Sequence, residues 1–286
     1  MRIAFLASDK AREQHLADAF LMGARKHGHT TEVRTLGPDL DVSGYDVACM
    51  VGVKSRELFH LHRQQGITTI YLDKGYARHK RPGEAGGWEY WRVSINAHHP
   101  TRRLAVQRHD GDRLAKLDWR LRPWRGGGRH IVFAGSSQKY HDFYGLRGAT
   151  DYAKRLVREM HLLVPQRRIV YRPKPSWADA EPVKGADFSR LPQTIDDVLG
   201  NAWCMVTHGS NACFESVCAG IPVVVLGDAV AKPISSTELE DVRAPFLATD
   251  EARRQWLANL AYWQWTLAEM ASGEAWAVLG EEIHAS

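Results

Sequence analysis

Short apolar runs alternate with amphipathic helical segments along most of this 286-residue chain, and that alternation limits its fold more than any other feature. The run RIAFLAS, residues 2–8, ends in a polar turn, and the next segment places Leu16, Phe20 and Leu21 on one helical face. The runs TTEVRTL, YDVACMVGV and ITTIYLD continue the series. Because strands that alternate with helices form parallel, doubly wound sheets, we expect an α/β protein. Ligands of such sheets bind beyond the carboxyl ends of the strands.

The alternation weakens between residues 75 and 129 and then starts again. The weak region contains RPGEAGGWEYW and RPWRGGGRH, which are typical of loops and hinges. HIVFAG, RRIVYRPKP, WCMVTHG and IPVVVLG are the strands expected after it. A chain of this length favours two domains, which we place at residues 1–128 and 129–255, followed by a tail at 256–286. The tail has a hydrophobic stripe typical of a packed helical face, formed by Trp256, Leu260, Trp263, Leu267 and Met270.

The composition is that of a soluble globular protein, with 44% hydrophobic and 25% charged residues. No run approaches the roughly 20 apolar residues of a membrane span, and the apolar run at the N-terminus is too short for a secretory signal. We therefore expect a cytoplasmic protein with no membrane partner. The cysteines lack the paired spacing of a zinc site and predict free, mostly buried thiols; they are Cys49, Cys204, Cys213 and Cys218.

Charge is distributed unevenly along the chain. Residues 1–130 hold 23 Lys and Arg against 14 Asp and Glu, a net of +9, whereas residues 131–286 hold 15 against 19, a net of −4. Ten of the 14 histidines also lie in residues 1–130. The asymmetry indicates that the two halves meet different partners.

The turn after the run WCMVT is the strongest candidate for a binding site. It contains His208, Gly209, Ser210 and Asn211 at the start of a helical segment, where unpaired backbone N–H groups favour an anion. Gly209 lets a phosphate approach the backbone, and Glu215 is placed to accept hydrogen bonds from a ribose diol. An ordinary capped helix in an α/β domain is the alternative interpretation.

Three other strand ends carry groups suited to a diphosphate. Arg172 and Lys174 lie two residues apart at the end of one run, so their side chains leave the same face. The remaining loops add small residues that present N–H groups and a charged pair: Gly135, Ser136, Ser137, Asp228 and Lys232. Because four strand ends of one sheet share an edge, we expect these residues to form one donor-binding site.

The first half offers a base and a basic surface. Asp73, at the end of its run, is the first candidate for a catalytic base and Asp9 the second, although either carboxylate could instead cap a turn or helix. The expected acceptor-binding residues are Lys74, Arg78, Lys80, Arg81, Arg102, Arg103, Trp119 and Arg122. Basic loops interleaved with tryptophans, here also Trp88, Trp91 and Trp124, are typical of surfaces that bind nucleic acid. A solvated basic face or an anionic polysaccharide would also satisfy the charge.

Metal ligation is a rival interpretation that the spacing does not favour. The triplets DLD, residues 39–41, and DGD, residues 110–112, are interpreted as turns. The pairs His27/His29 and His60/His62 have a two-residue spacing that suits ligands on a strand but not on a helix, and we interpret them as solvated. We therefore expect no metal.

The segment MVTHGSNACFESVCAGIPVVVLG, residues 205–227, resembles the nucleotide-sugar-binding domain of GT-B glycosyltransferases, over about residues 131–235. In that family a strand, a Gly-containing turn, a helix with a ribose-binding Glu and a GIPV strand follow one another. The chain as a whole is similar to glycosyltransferases encoded by tailed phages, in the segments YLDKGYARHK, WRVSINAHHPT, FAGSSQKYHDFYGL, YRPKPSW, THGSNACFE and SGEAW. The resemblance implies a GT-B-like fold of two Rossmann-like domains facing each other across a cleft, with a final helix that packs back on the N-terminal domain.

What the resemblance implies about function is a metal-independent glycosyltransferase with a nucleotide-diphosphate sugar as donor, a UDP-sugar first among them. The phage similarity favours DNA bearing a 5-hydroxymethyl-pyrimidine as the acceptor, in a host cytoplasm, and such a base would have to be extruded from a duplex. A polysaccharide acceptor, a sugar-nucleotide epimerase or other hydrolytic enzyme of the same fold, and a non-catalytic nucleic-acid-binding protein stay open. The sugar, the nucleobase, retention versus inversion and the oligomeric state are also open.

Overall fold

A computed structural model of the chain describes residues 1–37, 41, 43–52, 56–76 and 90–284. They form two compact units, each described here by itself. Unit 1 comprises Met1–Pro100 and Leu260–Ser286, and unit 2 comprises Thr101–Asn259.

The elements follow in chain order. The first are β1 (Arg2–Ala7), α1 (Ala11–Lys26), β2 (Thr30–Thr35), β3 (Val47–Val51), α2 (Arg56–Gln64), β4 (Thr68–Lys74) and β5 (Trp91–Ile95). Next come α3 (Thr101–Val106), β6 (His130–Ala134), α4 (Gln138–Tyr144), α5 (Ala149–Leu163), β7 (Arg168–Arg172), β8 (Asp187–Phe188), α6 (Ile195–Leu199), β9 (Ala202–Thr207), α7 (Ala212–Cys218) and β10 (Val223–Val225). The last are α8 (Asp250–Ala261), β11 (Gln264–Trp265), α9 (Leu267–Ser272) and α10 (Glu274–His284).

The sheet of unit 1 has the strand order β11-β5-β4-β3-β1-β2. Strands β1 to β4 are parallel, as the alternation of strands and helices predicts. Leu16, Phe20 and Leu21 of α1 are buried, which confirms the predicted helical face. The Trp276 indole donates a 2.8 Å hydrogen bond to the Phe20 carbonyl and so ties α10 to α1.

Two strands of unit 1 depart from the sequence prediction. β5, within the region expected to be irregular, is antiparallel to β4, and β11 is antiparallel to β5 with Trp265 opposite Trp91. The tail is therefore not one helix, because α8 ends at Ala261 and a strand intervenes before α9. The stripe residues Trp256, Leu260, Trp263 and Met270 are nonetheless buried, as expected of a packing face.

The sheet of unit 2 is parallel throughout, in the order β10-β9-β6-β7-β8. The four predicted strands β6, β7, β9 and β10 are all present, and their carboxyl ends share one edge. Behind them the core is built from aliphatic and aromatic side chains of the sheet and of α5, among them Phe133, Leu156, Ile169 and Val206.

The segment before β6 belongs to unit 2, so the boundary expected between residues 128 and 129 lies inside that unit. The backbone N–H of Arg122 donates to the Cys218 carbonyl at 2.9 Å, and that of Arg125 to the Gly220 carbonyl at 2.8 Å. The Trp124 indole donates to the Ala248 carbonyl at 2.7 Å. These hydrogen bonds attach the loop to other residues of unit 2. The Gly- and Pro-rich composition of the loop does not indicate to which unit it belongs.

This division changes where the positive charge lies. Residues 1–100 and 260–286 hold 14 Lys and Arg against 15 Asp and Glu, whereas residues 101–259 hold 24 against 18. Residues 101–129 alone hold nine basic and three acidic residues. The excess that the sequence analysis gives to the first half is therefore carried by unit 2.

Burial confirms the prediction for the cysteines: all four are free, and three of them are buried. Burial raises the pKa of Cys204, Cys213 and Cys218 to about 12, so these thiols stay protonated. A bilayer span would need a longer and more apolar helix than any that the described residues form.

Candidate functional site

The turn after β9 is closed by a threonine hydroxyl. Thr207 Oγ1 donates to the Ala134 carbonyl at 2.9 Å and accepts from the Ser210 backbone N–H at 2.9 Å. Ser210 Oγ in turn accepts from the Ala212 N–H at 3.3 Å, in the first turn of α7. The turn that contains His208 and Gly209 is thus fixed to β6 and held beside the loop that follows that strand.

Gly209 is required by close packing. A Cβ at this position would lie 1.9 Å from Tyr140 Oη and 3.0 Å from the Asp228 carbonyl oxygen. Any larger residue would therefore push α4 away from the turn. The sequence analysis explains Gly209 by the approach of a phosphate, and the structure adds this packing reason.

His208 is held as a neutral imidazole. Its Nδ1 lies 2.8 Å from Tyr152 Oη, and a Cβ added to Gly227 would come within 2.4 Å of its Nε2. Burial, and then the charges of His141, Lys232 and Arg155, lower its pKa to about 4. His208 therefore offers a ligand a hydrogen bond and no charge at neutral pH.

Four residues of α4 and α5 surround His208 and were not predicted as site residues. They are Tyr140, His141, Tyr152 and Arg155. The Tyr140 ring meets the His208 ring edge-on at 6.2 Å between centroids, and the Tyr152 ring does so at 5.4 Å. His141 Nδ1 lies 2.7 Å from the Arg147 carbonyl oxygen. Tyr140 and His141 could have been found from the sequence, because they lie in the segment that follows the predicted strand β6. Tyr152 and Arg155 lie on α5, and only the fold shows which side of that helix is turned towards His208.

The loop after β6 contains a buried hydroxyl without a protein partner. Ser136 is 8% exposed, and within the described part of the chain its Oγ has no hydrogen-bond partner. Gly135 packs against the Tyr171 ring, which would lie 2.8 Å from an added Cβ. Ser137 precedes α4 without a side-chain cap. Because an unpaired buried hydroxyl is costly, Ser136 indicates a place where a ligand or water donates or accepts.

The two cations after β7 differ in their surroundings. Arg172 is buried, and its Nη1 and Nη2 donate to Ser189 Oγ at 2.7 Å and to the Gln193 carbonyl at 2.8 Å. Burial lowers its pKa. Lys174, by contrast, is exposed. Arg172 thus fixes a neighbouring loop, and Lys174 is the more accessible charge of the pair.

The other expected donor residues lie beyond β9 and β10. Asp228 Oδ1 accepts a 2.6 Å hydrogen bond from Thr101 Oγ1. Lys232 is exposed and begins a short 3-10 helix at Lys232–Ile234. Glu215 is half-buried within α7. The fold therefore brings the ends of four strands to one edge. The predicted donor residues on or after these strand ends are Gly135, Ser136, Ser137, Arg172, Lys174, His208, Gly209, Ser210, Asn211, Asp228 and Lys232.

In unit 1, Asp73 lies at the end of β4 in an ion pair. Its Oδ2 accepts from Arg92 Nη2 at 3.1 Å and its Oδ1 from the Lys74 backbone N–H at 2.8 Å. Burial acts to raise the pKa of Asp73, but the charge of Arg92 and the hydrogen bonds from Lys74 and Arg92 outweigh it, so the pKa is lowered. The carboxylate is therefore ionised at neutral pH.

The other candidate base has a different neighbour. Asp9 is exposed in the bend after β1 and does not cap α1. Glu13 of that helix is 2% exposed, and its Oε2 accepts from the Ser8 N–H at 3.0 Å and from Ser8 Oγ at 2.8 Å. The buried carboxylate at this strand end is thus Glu13, which the sequence analysis does not single out.

The expected acceptor residues are partly outside the described residues, namely Arg78, Lys80 and Arg81, together with Trp88. Of the remainder, Lys74, Arg102 and Arg122 are exposed, and Arg103 lies half-buried in α3. The Trp119 ring packs 4.8 Å from the Phe214 ring.

The other tryptophans expected to stack bases also pack inside the protein. Trp91 is fully buried in β5, and the Arg253 guanidinium covers the Trp124 ring at 3.9 Å. The described tryptophans of this region therefore serve packing first.

The triplets and histidine pairs can be compared with the metal-binding interpretation only where the structure describes them, and Asp39 and Leu40 of the DLD triplet lie outside those residues. Asp41 uses both carboxylate oxygens on Ser43, and Gly111 has a positive φ of 85° typical of a turn. His62 is buried and 2.8 Å from Tyr45 Oη, so the expectation that it is solvated is wrong. Across the described ranges, no three His, Cys, Asp or Glu residues lie so as to hold a metal ion.

Comparison with solved structures shows the fold. The chain is similar to the beta Kdo 2,7 transferase of Thermosulfurimonas dismutans KpsC, with a TM-score of 0.57, 15% sequence identity and coverage of 98% of this chain and 99% of that chain. It is also similar to the beta Kdo 2,4 transferase of the same KpsC, with a TM-score of 0.53, 15% identity and coverage of 92% and 91%. No protein-family model and no curated protein matches the sequence. The predicted α/β, GT-B-like fold class with two Rossmann-like parts is confirmed.

Proposed function

We propose that this chain is a glycosyltransferase that moves a sugar from a nucleotide-diphosphate donor to a hydroxyl group. The donor is bound at the carboxyl edge of the unit 2 sheet. The observation that carries the proposal is the set of small, polar and cationic groups at that edge, in a fold shared with a Kdo transferase over 98% of the chain.

The chemistry of these groups suits a diphosphate. Ser136 Oγ and the backbone N–H groups of His208 and Gly209 donate hydrogen bonds to phosphate oxygens, while the Ser210 N–H stays bonded to Thr207 Oγ1. The exposed Lys174 and Lys232 neutralise charge as the bond between the anomeric carbon and the phosphate oxygen breaks. Glu215 binds the ribose diol, with uridine as the nucleoside that the GT-B resemblance favours. This arrangement operates without a metal ion.

The acceptor hydroxyl needs a base if the reaction inverts the anomeric carbon. Asp73 is the proposed base because its carboxylate is ionised and 39% exposed, and Asp9 is the second candidate. Asp73→Asn keeps the shape of the side chain and removes the base. We expect that variant to lose transfer while it keeps donor binding.

The decisive experiment is a panel of nucleotide sugars screened by thermal shift and confirmed by calorimetry, with and without EDTA. One or more donors should raise Tm, and EDTA should leave that shift unchanged. A donor consumed in the absence of any acceptor would identify an epimerase or a hydrolytic enzyme instead. If no nucleotide sugar binds, the proposed function is wrong.

A carbohydrate hydroxyl is the acceptor that we favour. The two solved structures compared above are each named as a Kdo transferase. Incubation with the best donor and a panel of oligosaccharides, followed by mass spectrometry, should then show the mass of one added sugar.

DNA that bears a 5-hydroxymethyl-pyrimidine is the second candidate acceptor. The observation that favours it is the composition of segment 101–129, which contains nine basic residues and three acidic residues. Modified and plain duplexes should be incubated with each donor, and the nucleosides analysed by mass spectrometry. If sugar is added to no modified DNA, the carbohydrate acceptor is retained alone.

A further inference from the structure

In unit 1, a buried arginine joins several titratable side chains at the end of β4. Arg92 is 3% exposed and lies directly opposite Asp73 in the register of β4 and β5. Its Nη2 is 3.1 Å from Asp73 Oδ2 and 2.9 Å from His98 Nε2. Its Nη1 is 2.9 Å from His99 Nδ1. One guanidinium therefore contacts a carboxylate and two imidazoles.

The chemistry of the guanidinium decides where the imidazole protons are. Arginine only donates hydrogen bonds and keeps its charge, so a ring nitrogen that faces it must carry a lone pair. His98 therefore has its proton on Nδ1. Arg92 Nη1 lies 2.9 Å from His99 Nδ1 and 3.5 Å from His99 Nε2, and the shorter contact assigns the lone pair to Nδ1 and the proton to Nε2. Burial and the Arg92 charge lower the pKa of His99 well below its ordinary value, which agrees with a neutral ring.

Asp73 is the accessible member of the cluster. Its side chain is 39% exposed, and its two oxygens are held by Arg92 and by the Lys74 backbone N–H. The titratable and charged groups of the described residues around it are Arg92, His98 and His99, with Lys74 on its own strand. Tyr76 joins the same network, with its Oη 3.0 Å from His99 Nδ1.

We propose that Arg92 is a positioning residue that holds Asp73 ionised and oriented and fixes the neutral tautomers of His98 and His99. This inference rests on the glycosyltransferase function proposed above. In that reaction Asp73 takes the proton of the acceptor hydroxyl, the hydroxyl oxygen bonds to the anomeric carbon, and the phosphate oxygen leaves with its electron pair. Arg92 touches none of the reacting atoms and acts through the carboxylate.

The first test needs no activity. Nitrogen NMR of the imidazoles in the full chain, assigned with His98→Asn and His99→Asn, should show the proton on Nδ1 of His98 and on Nε2 of His99. In Arg92→Met both rings should lose this fixed tautomer, and the pKa of His99 should rise. Arg63→Met, which removes an exposed arginine of α2, is the matched control and should change neither ring. Unchanged tautomers in Arg92→Met, or the opposite tautomers in the wild type, overturn the proposal.

The second test uses transfer rates. In Arg92→Met the acidic limb of kcat/KM should move to higher pH by about one unit or more, because an opposite charge beside a carboxyl lowers its pKa by about 1–3 units. Arg92→Lys keeps the charge but cannot bridge Asp73 and both imidazoles. It should keep the position of the limb and lower kcat roughly tenfold with an unchanged KM for the donor. If neither variant alters the pH profile or kcat, Arg92 does not position the base.

The two tests distinguish a failure of the positioning role of Arg92 from a failure of the proposed glycosyltransferase function. Fixed tautomers together with no binding of any nucleotide sugar would count against the glycosyltransferase function and not against the contacts of Arg92. A variant that fails to fold is replaced by Arg92→Lys and by the wild-type NMR measurement, which is informative alone.

Discussion

His208 has a charge state set entirely by its neighbours. Tyr152 Oη contacts Nδ1 of the ring, and Gly227, which has no side chain, leaves room for Nε2. Burial and nearby cations keep it neutral. Such a side chain recognises a ligand by hydrogen bonding, and its protonation would place a third positive charge beside Lys232 and Arg155.

That neutrality makes stability depend on pH in a defined window. The pKa of His208 falls from an ordinary 6.5 to about 4 in the folded chain, so the unfolded chain binds more protons between these values. The stabilising contribution is complete above pH 6.5 and is lost as pH falls towards 4. His208→Gln should therefore show a smaller drop in Tm over this interval. His60→Gln, at an exposed position, is the control, and an equal drop in the wild type and in His208→Gln would contradict the prediction.

Two donor residues should respond differently to truncation. Glu215→Ala and Arg172→Ala should each weaken donor binding by about 1–3 kcal/mol, as lost charged hydrogen bonds do. Arg172→Ala should also lower Tm, because Arg172 holds Ser189 and Gln193. Ser189→Ala separates the effects, since it disturbs the loop and leaves the cation. Calorimetry with the best donor measures all three, and unchanged affinity in both alanine variants places the pocket elsewhere.

Among the elements, strands β6, β7, β9 and β10 of unit 2 and their ends could be predicted, whereas β8 of that unit and two pairings of unit 1 could not. The apolar runs before Gly135, Lys174, His208 and Asp228 are continuous, and such runs are typical of buried parallel strands. The strand ends therefore gave the candidate residues directly. The side chains of α4 and α5 that contact these strand ends are determined by how the helices pack on the sheet. Hydrophobic periodicity in the sequence does not predict that packing.

β5 and β11 were missed for a reason of topology. Their pairing joins residues 91 and 265, which are far apart in the chain, and β11 has only two residues. A two-residue strand has no period to detect, and β11 lies between Trp263 and Leu267 of the predicted helical stripe. Position in space, rather than local pattern, makes it a strand.

The attachment of residues 101–125 to α7 can be tested with a pair of glycines. Gly220 and Gly28 share a φ of +76°, but an added Cβ at Gly220 would lie 2.1 Å from the Pro123 carbonyl oxygen, whereas nothing lies within 4 Å at Gly28. Alanine at either site costs about 1–2 kcal/mol for the backbone conformation. Gly220→Ala should cost about 1–3 kcal/mol more, as overpacking does.

Urea unfolding of the two glycine variants measures the difference. Equal losses of unfolding free energy would mean that the segment containing Pro123 moves away from an alanine at position 220 at no cost in stability. A larger loss in Gly28→Ala than in Gly220→Ala would contradict the described contact altogether.

At the level of the whole molecule, charge follows the units and not the halves of the sequence. Unit 2 holds both the proposed donor residues and the basic segment 101–129. One unit is thus suited to attract a polyanion and to bind an anionic donor. Unit 1, with 14 basic and 15 acidic residues, lacks that excess.

Binding of any polyanion should therefore respond to arginines of unit 2. The affinity for plain duplex DNA should fall as salt rises, and each lost phosphate contact should reduce the slope of log K against log salt by about 0.9. Arg102→Gln and Arg122→Gln should reduce the slope. Arg25→Gln with Lys26→Gln, at exposed positions of unit 1, should not. Binding that ignores salt would exclude this surface as a nucleic-acid site.

The pairing of β11 with β5 also bears on synthesis. When a ribosome has released residue 100, the strand that covers the edge of β5 begins only at Gln264. The tryptophan that donates to the Phe20 carbonyl, Trp276, follows later still. Unit 2 is continuous in the chain and can complete its sheet while the earlier unit waits. The N-terminal unit is thus the last to be finished, and its exposed strand edge is the part of the nascent chain with most need of protection from other chains.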